Sequence, residues 1–166
     1  MNSIFKRRSI RQYTNQEVSE DDVKKLLEAA MCAPSANNAR PWYFVIVRDR
    51  VMLEKLSKTH QYSYMVKNAN VAIVVCGDST IQSHKDYWVL DCSAATENIL
   101  IEVAELNLGA VWVAVYPREA RINHARNVLK LPENIMPLCI IPIGYPAEKP
   151  EIPKRFDKSR IHYEKW

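Results

Sequence analysis

Glycine is almost absent from this chain. Three glycines, Gly77, Gly109 and Gly144, serve 166 residues, so neither G-x-G-x-x-G nor G-x-x-x-x-G-K-[ST] can be written anywhere in it. Those loops hold phosphates on backbone N–H groups that glycine leaves open to close approach. A phosphate ligand would here have to be held by side chains, and arginine and serine suit that task through forked or charge-assisted hydrogen bonds. Cysteine is sparse as well. Cys32, Cys76, Cys92 and Cys139 form no C-x-x-C pair, which removes the usual sequence support for zinc or thioredoxin-type chemistry. His60, His84, His124 and His162 show no H-E-x-x-H or similar spacing, so no metal is expected. No apolar run approaches the roughly 20 residues of a membrane helix. The stretch Met1–Tyr13 is basic but lacks the apolar core of a secretion signal. The expectation is a cytoplasmic protein without membrane contact.

What remains is the composition of one soluble domain. Hydrophobic residues make up 48% and charged residues 25%, and a chain of this length supports one core, taken as a single domain over 1–166. The net charge of +4 suits attraction of a small phosphorylated ligand. It is too modest and too dispersed to predict nucleic-acid binding.

The apolar pattern gives the elements. Ser3 can cap a short helix running to about Gln12, with Ile4, Phe5 and Ile10 on its apolar side. Ser19 caps a clearer one, in which Glu20, Asp21 and Asp22 suit the positive end of the dipole and Val23, Leu26, Leu27 and Ala30 form one buried face. Residues 33–41 read as a loop, 42–47 as a strand, 52–59 as a helix and 71–76 as a second strand. A long central helix is expected from Asp86 to Asn107, ended by Gly109. A third strand is expected over 110–115, a helix opened by Pro117 and running to about Leu131, and a fourth strand over 138–143. Pro142 argues for an edge or a bulge in that last strand. The tail, 146–166, holds Pro146, Pro150 and Pro153 and closes on Ile161, Tyr163 and Trp166. Such a segment needs a surface to pack on, and in a small chain that surface can belong to another subunit.

Two segments can carry binding chemistry. Arg7-Arg8-Ser9-Ile10-Arg11 offers guanidinium groups and a hydroxyl. On a helix Arg7 and Arg11 share a face, where they either clasp a phosphate or stay solvated. Ala33-Pro34-Ser35-Ala36-Asn37-Asn38-Ala39-Arg40-Pro41 gathers amides and a hydroxyl ahead of a strand. Asparagine both donates and accepts, as the polar edge of a heterocyclic ring requires, although an Asn-rich turn feeding a core strand has the same composition.

Taken in order, RRSIRQY, APSANNARPWYF, NLGAVWV, PIGYPAE and PKRFDKSRIHYEKW resemble the nitroreductase-like family of flavoproteins, and the resemblance runs from about residue 2 to residue 166. It implies an α+β fold, with a central, mainly antiparallel sheet flanked by helices. It implies a homodimer with FMN at the interface and the tail reaching over the partner subunit. The implied activity is hydride transfer from NADH or NADPH through flavin N5 to a small nitroaromatic or quinone-type acceptor, with ping-pong kinetics and no catalytic side chain. By position, Arg7, Arg8, Ser9 and Arg11 match the family's N-terminal FMN contacts, with Arg7 and Arg11 directed to phosphate and ribityl. Asn38 matches the loop asparagine at the flavin, with Ser35 and Asn37 beside it. Arg40 stands where many members have glutamine, and a cation near the flavin N1/O2 edge would stabilise the reduced anion. Val113 and Ala114 fall on the strand near the ring, Gly144 on the glycine before the tail, and Lys154 and Arg155 on the basic pair that reaches the phosphate. His162 is expected to pack at the dimer interface rather than act as a general acid. Three other readings stay open: a flavin-binding redox sensor without efficient turnover, a different reduction on the same scaffold, such as dehalogenation or flavin breakdown, and a basic α/β interaction domain that takes up no FMN.

Overall fold

The computed structural model describes residues 2–81 and 87–166. Its centre is an antiparallel sheet in the order β1 (Trp42–Val47), β2 (Val71–Asp78), β5 (Ile135–Gly144), β3 (Gly109–Ala110), with β4 (Val113–Ala114) also paired to β5. β2 alternates strictly. Val71, Ile73 and Val75 enter one core, and Ala72, Val74 and Cys76 enter the other, so both faces of the sheet are covered. On the first face lie α2 (Glu20–Met31) and α4 (Tyr87–Glu105); on the second lie α3 (Arg50–Leu56) and α5 (Glu119–Leu129).

The helices form for local reasons that the sequence displays. Ser19 accepts the Asp22 N–H at 3.0 Å as a side-chain cap, three acids fill the first turn of α2, and Val23, Leu26 and Ala30 are its buried stripe. Asp49 caps α3 in the same way, through the Met52 N–H at 2.8 Å. α4 buries Trp88, Cys92, Ala95, Thr96, Ile99, Leu100 and Val103. The expected start of that helix at Asp86 lies outside the described residues. No helix among the described residues is long and apolar enough to cross a membrane.

Five expectations need correction. Gly109 lies in β3 and does not cap α4, after which Asn107 is the left-handed residue, and Pro117 precedes Arg118, the N-cap of α5, instead of opening that helix. The first helix, α1 (Ser3–Lys6), stops well short of Gln12. Arg7 already has extended backbone, and the Ile10 N–H donates to Ala110 O at 2.8 Å, so Ser9 bridges to the edge of the sheet instead of continuing the helix. The third strand is two short pieces. Ala110 pairs with Ile143 and Val113 with Ile140, which leaves Val111 and Trp112 as the break between them. Pro142 does not mark an edge strand, since β5 has β2 on one side and β3 and β4 on the other. Proline is tolerated there because the broken third strand leaves Ile141 and Pro142 without a paired neighbour on that side. A register shift does occur in β5. It lies at Leu138, opposite Val75 and Cys76, and Leu138 O accepts from both Val115 and Tyr116 at 3.0 Å.

Candidate cofactor-binding site

Because the chain leaves the helix at Arg7, Arg7 and Arg11 do not share a helix face. They belong to an irregular segment in which Ile10 is buried and Ser9 and Arg11 are exposed. Arg7 Nε lies 3.4 Å from Glu97 Oε1 on α4, with the arginine side chain mostly covered and the glutamate half exposed. Arg8 turns toward the protein: its guanidinium donates to Phe5 O at 2.9 Å, to Glu151 O at 3.2 Å and to Arg7 O. Arg11 is held chiefly by its backbone, with a long contact of 3.4 Å from Nη1 to Ser9 O. Ser9 and Arg11 thus present a hydroxyl and a cation to solvent, Arg7 stands behind a carboxylate, and Arg8 is an anchor.

Residues 8–14 lie against the start of the tail. Thr14 N–H donates to Tyr145 O at 2.8 Å, and Ala147 N–H donates to Gln12 O at 2.9 Å. Gly144 sits at this junction. A Cβ there would come within 3.0 Å of three atoms of the Tyr13 side chain, so the glycine makes room for the ring. The Tyr13 hydroxyl is shared between Ile10 O at 2.7 Å and Pro142 O at 3.2 Å. Burial of the ring, with Glu148 nearby, raises its pKa above the ordinary phenol value. A cleft of about 470 Å³ opens between Arg7 and Arg8, the C-terminal half of α4 at Leu100, Val103 and Ala104, and the tail at Pro150 and Ile152.

The Asn-rich loop is elsewhere. Asn37, Asn38 and Arg40 have φ of 54°, 55° and 48°. Left-handed backbone is disfavoured for side-chain-bearing residues, asparagine being the most tolerant, so the surroundings must hold the loop. Ser35 Oγ accepts the Arg40 N–H at 3.0 Å, and the buried Asp91 of α4 accepts the Ala36 N–H at 3.0 Å. The side chains of Asn37, Asn38 and Arg40 are left exposed. Sequence reading missed Asp91, which resembled a routine helix acid. Its only local signal is a carboxylate in an otherwise apolar helical turn. Asp91→Ala strands the Ala36 N–H, and is expected to lower stability by about 1–3 kcal/mol and to speed hydrogen exchange across 35–40. Unchanged exchange there would sink that role.

Val113 is buried, and Ala114 is exposed on β4, with its carbonyl accepting from Arg121 Nη1 at 3.0 Å. Lys154 and Arg155 are exposed in a tail whose one regular piece is a 3-10 turn at Lys158–Arg160. His162 stacks on Trp166 with centroids 4.3 Å apart. The structure therefore groups Arg7, Arg8, Ser9, Arg11 and Gly144 at one place, and Ser35, Asn37, Asn38 and Arg40 at another.

Comparison with known proteins decides the lineage. The family model described as nitroreductase family matches residues 4–60 and 53–145. The chain belongs to the nitroreductase family. A relative from Methanothermobacter thermautotrophicus, provisionally named an NADH dehydrogenase/NAD(P)H nitroreductase, is 50% identical over 166 residues, covering all of this chain and 87% of its own. A Parabacteroides distasonis crystal structure with the same provisional name is 42% identical, with TM-score 0.95 over 99% of this nitroreductase-family chain and 96% of that one. A Desulfovibrio desulfuricans structure, provisionally described as a nitroreductase in complex with FMN, is 30% identical, with TM-score 0.85 over 99% and 95%. The antiparallel sheet with helices on both faces is the nitroreductase fold.

Proposed function

We propose that this nitroreductase-family chain is an FMN-dependent oxidoreductase working as a homodimer, with NADH or NADPH as reductant and a small nitroaromatic or quinone-type molecule as acceptor. The observation that carries the reading is the separation of the two candidate segments along the sheet. The Asn-rich loop enters β1 at Trp42, which is level with Gly77 on β2 and Met136 on β5. The basic segment lies at the other end of β5, beside Gly144. Seven ladder positions separate Met136 from Gly144, since the bulge at Leu138 adds a residue without advancing the strand, about 23 Å at the usual rise. On this reading a cofactor touching both sets of donors draws them from two chains. The exposed apolar side chains of Phe156, Tyr163 and Trp166 support the same conclusion, since one chain gives them no surface to cover.

The residues present fit the cofactor. With no glycine loop in the sequence, its phosphate would be held by Arg7, Ser9, Arg11, Lys154 and Arg155, four cations and a hydroxyl. Arg8 contributes by fixing the backbone of that segment. Ser35, Asn37 and Asn38 supply donors and acceptors for the pyrimidine edge of the ring, and Arg40 a positive charge beside it. Val113 and Ala114 provide the strand surface against which the ring would lie. Bound FMN supplies hydride acceptance from NAD(P)H and donation to an acceptor in turn, which gives ping-pong kinetics. The protein's share is orientation and exclusion of water, and it needs no nucleophilic side chain.

The test is an absorption spectrum of the purified protein, before and after anaerobic NADH or NADPH, with sedimentation of the same sample. Flavin bands that bleach, in a particle of two chains, are the expected result. A protein that takes up no FMN on incubation overturns the reading. Bands that persist with either nucleotide point instead to a sensor.

A further inference from the structure

We infer that Glu148 is the positioning residue of the FMN-phosphate segment: it holds the backbone of Arg11 and Gln12 in place. The inference rests on the flavin reading above. Glu148 Oε1 accepts the N–H of Gln12 at 3.2 Å and also that of Arg11. One carboxylate oxygen therefore takes two successive backbone donors from a segment more than 130 residues away in sequence. The neighbouring ties are either main chain to main chain, Thr14 to Tyr145 and Ala147 to Gln12, or directed from Arg8 to the Glu151 carbonyl. Substitution at 145, 147 or 151 leaves those carbonyls and N–H groups present. Glu148 is different, because its acceptor is the side chain itself and one of its donors is the backbone of a candidate phosphate ligand.

The tail carries the other candidate cations. Lys154 and Arg155 follow Glu148 by six and seven residues, all of them exposed. Arg8 ties the Glu151 carbonyl further on, so the basic pair lies three and four residues beyond that contact, within roughly 10–14 Å of it. Without Glu148 the ties at Tyr145, Ala147 and Glu151 still hold the tail, and what is lost is the acceptor for the Arg11 and Gln12 N–H groups.

The sign of the charge separates this role from an electrostatic one. A carboxylate among Arg8, Arg11 and Lys149 lowers the local positive potential and so opposes phosphate binding. Glu148 can favour the cofactor only through the hydrogen bonds it accepts. Glu148→Gln keeps an oxygen acceptor and removes the negative charge, so FMN binds as tightly as in the unaltered protein or tighter. Glu148→Ala removes the acceptor, and FMN binding weakens by about 10- to 100-fold. Glu148→Asp is one methylene short and also binds more weakly.

The experiment is an FMN titration of all four full-length proteins by flavin fluorescence, with amide hydrogen exchange at residues 11 and 12 in the cofactor-free state. The expected result is weak binding and fast exchange in the alanine and aspartate forms, both restored by glutamine. If the unaltered protein binds FMN and all three variants match it, the inference falls while the flavin reading stands. Tighter binding by the alanine form also overturns it, because charge would then be the contribution. If the unaltered protein binds no FMN, both readings fall together.

Discussion

Alanine at both Arg7 and Arg11 is expected to weaken FMN binding by roughly 100- to 10,000-fold. A charge-assisted hydrogen bond contributes about 1.5–3 kcal/mol, and two of them give about 3–6 kcal/mol, which converts to that range. Arg7 has a further effect, since its removal leaves Glu97 of α4 without the cation 3.4 Å away that balances it. The loss is read from quenching of flavin fluorescence on titration, at two salt concentrations. The unaltered protein should show the steeper salt dependence, because it brings two more cations to a doubly charged group. Thermal stability should move little, as Arg11 is exposed and the Arg7 ion pair is half solvated. A loss below about threefold would remove these arginines from the phosphate site.

Gly77→Ala is expected to destabilise the fold by about 1–3 kcal/mol or more, because the added methyl has nowhere to go. A Cβ at Gly77 would lie 2.4 Å from Trp88 Cε3 and 3.0 Å from Cys92 Sγ. Both residues are buried on α4, and the Trp88 ring meets Tyr116 edge to face at 5.1 Å, so the indole cannot swing aside freely. The helix must shift outward or the strand must bend. For a domain of this size the melting temperature should fall by about 3–10 °C, measured by circular dichroism. Asp91 is less than one turn beyond Trp88, so the same shift would carry away the anchor of the Asn-rich loop. An unchanged melting temperature would mean that α4 has slack which its packing does not show.

The parts of this architecture written in local pattern were legible from the residues. Ser19 and the acids after it announce α2, and the apolar runs at 42–47 and 71–76 are β1 and the body of β2. The tail was legible as a segment in want of a surface. What escaped depends on distant partners. Ile4, Phe5 and Ile10 have helical spacing, yet the Ile10 N–H goes to Ala110, one hundred residues away, and that bond ends the helix early. Pro142 looked like an edge marker because its tolerance comes from a break in a neighbouring strand. At the candidate site the arginines and asparagines could be named from the sequence. Their separation along the sheet could not, and neither could the acids that hold them, Asp91, Glu97 and Glu148, whose partners lie far away along the chain.

The cysteine distribution makes the chain a single-thiol reagent as it stands. Cys76, Cys92 and Cys139 are buried, and burial pushes Cys76 and Cys139 up to about 12 and Cys92 upward as well, so none offers a thiolate at neutral pH. Cys32 alone is exposed. It is the C-cap of α2, directly ahead of the loop that carries Ser35, Asn37, Asn38 and Arg40. A maleimide dye or spin label added without mutagenesis would attach there, beside the segment assigned to the flavin ring. The environment of that one probe would then report whether the loop changes when cofactor or reductant is supplied.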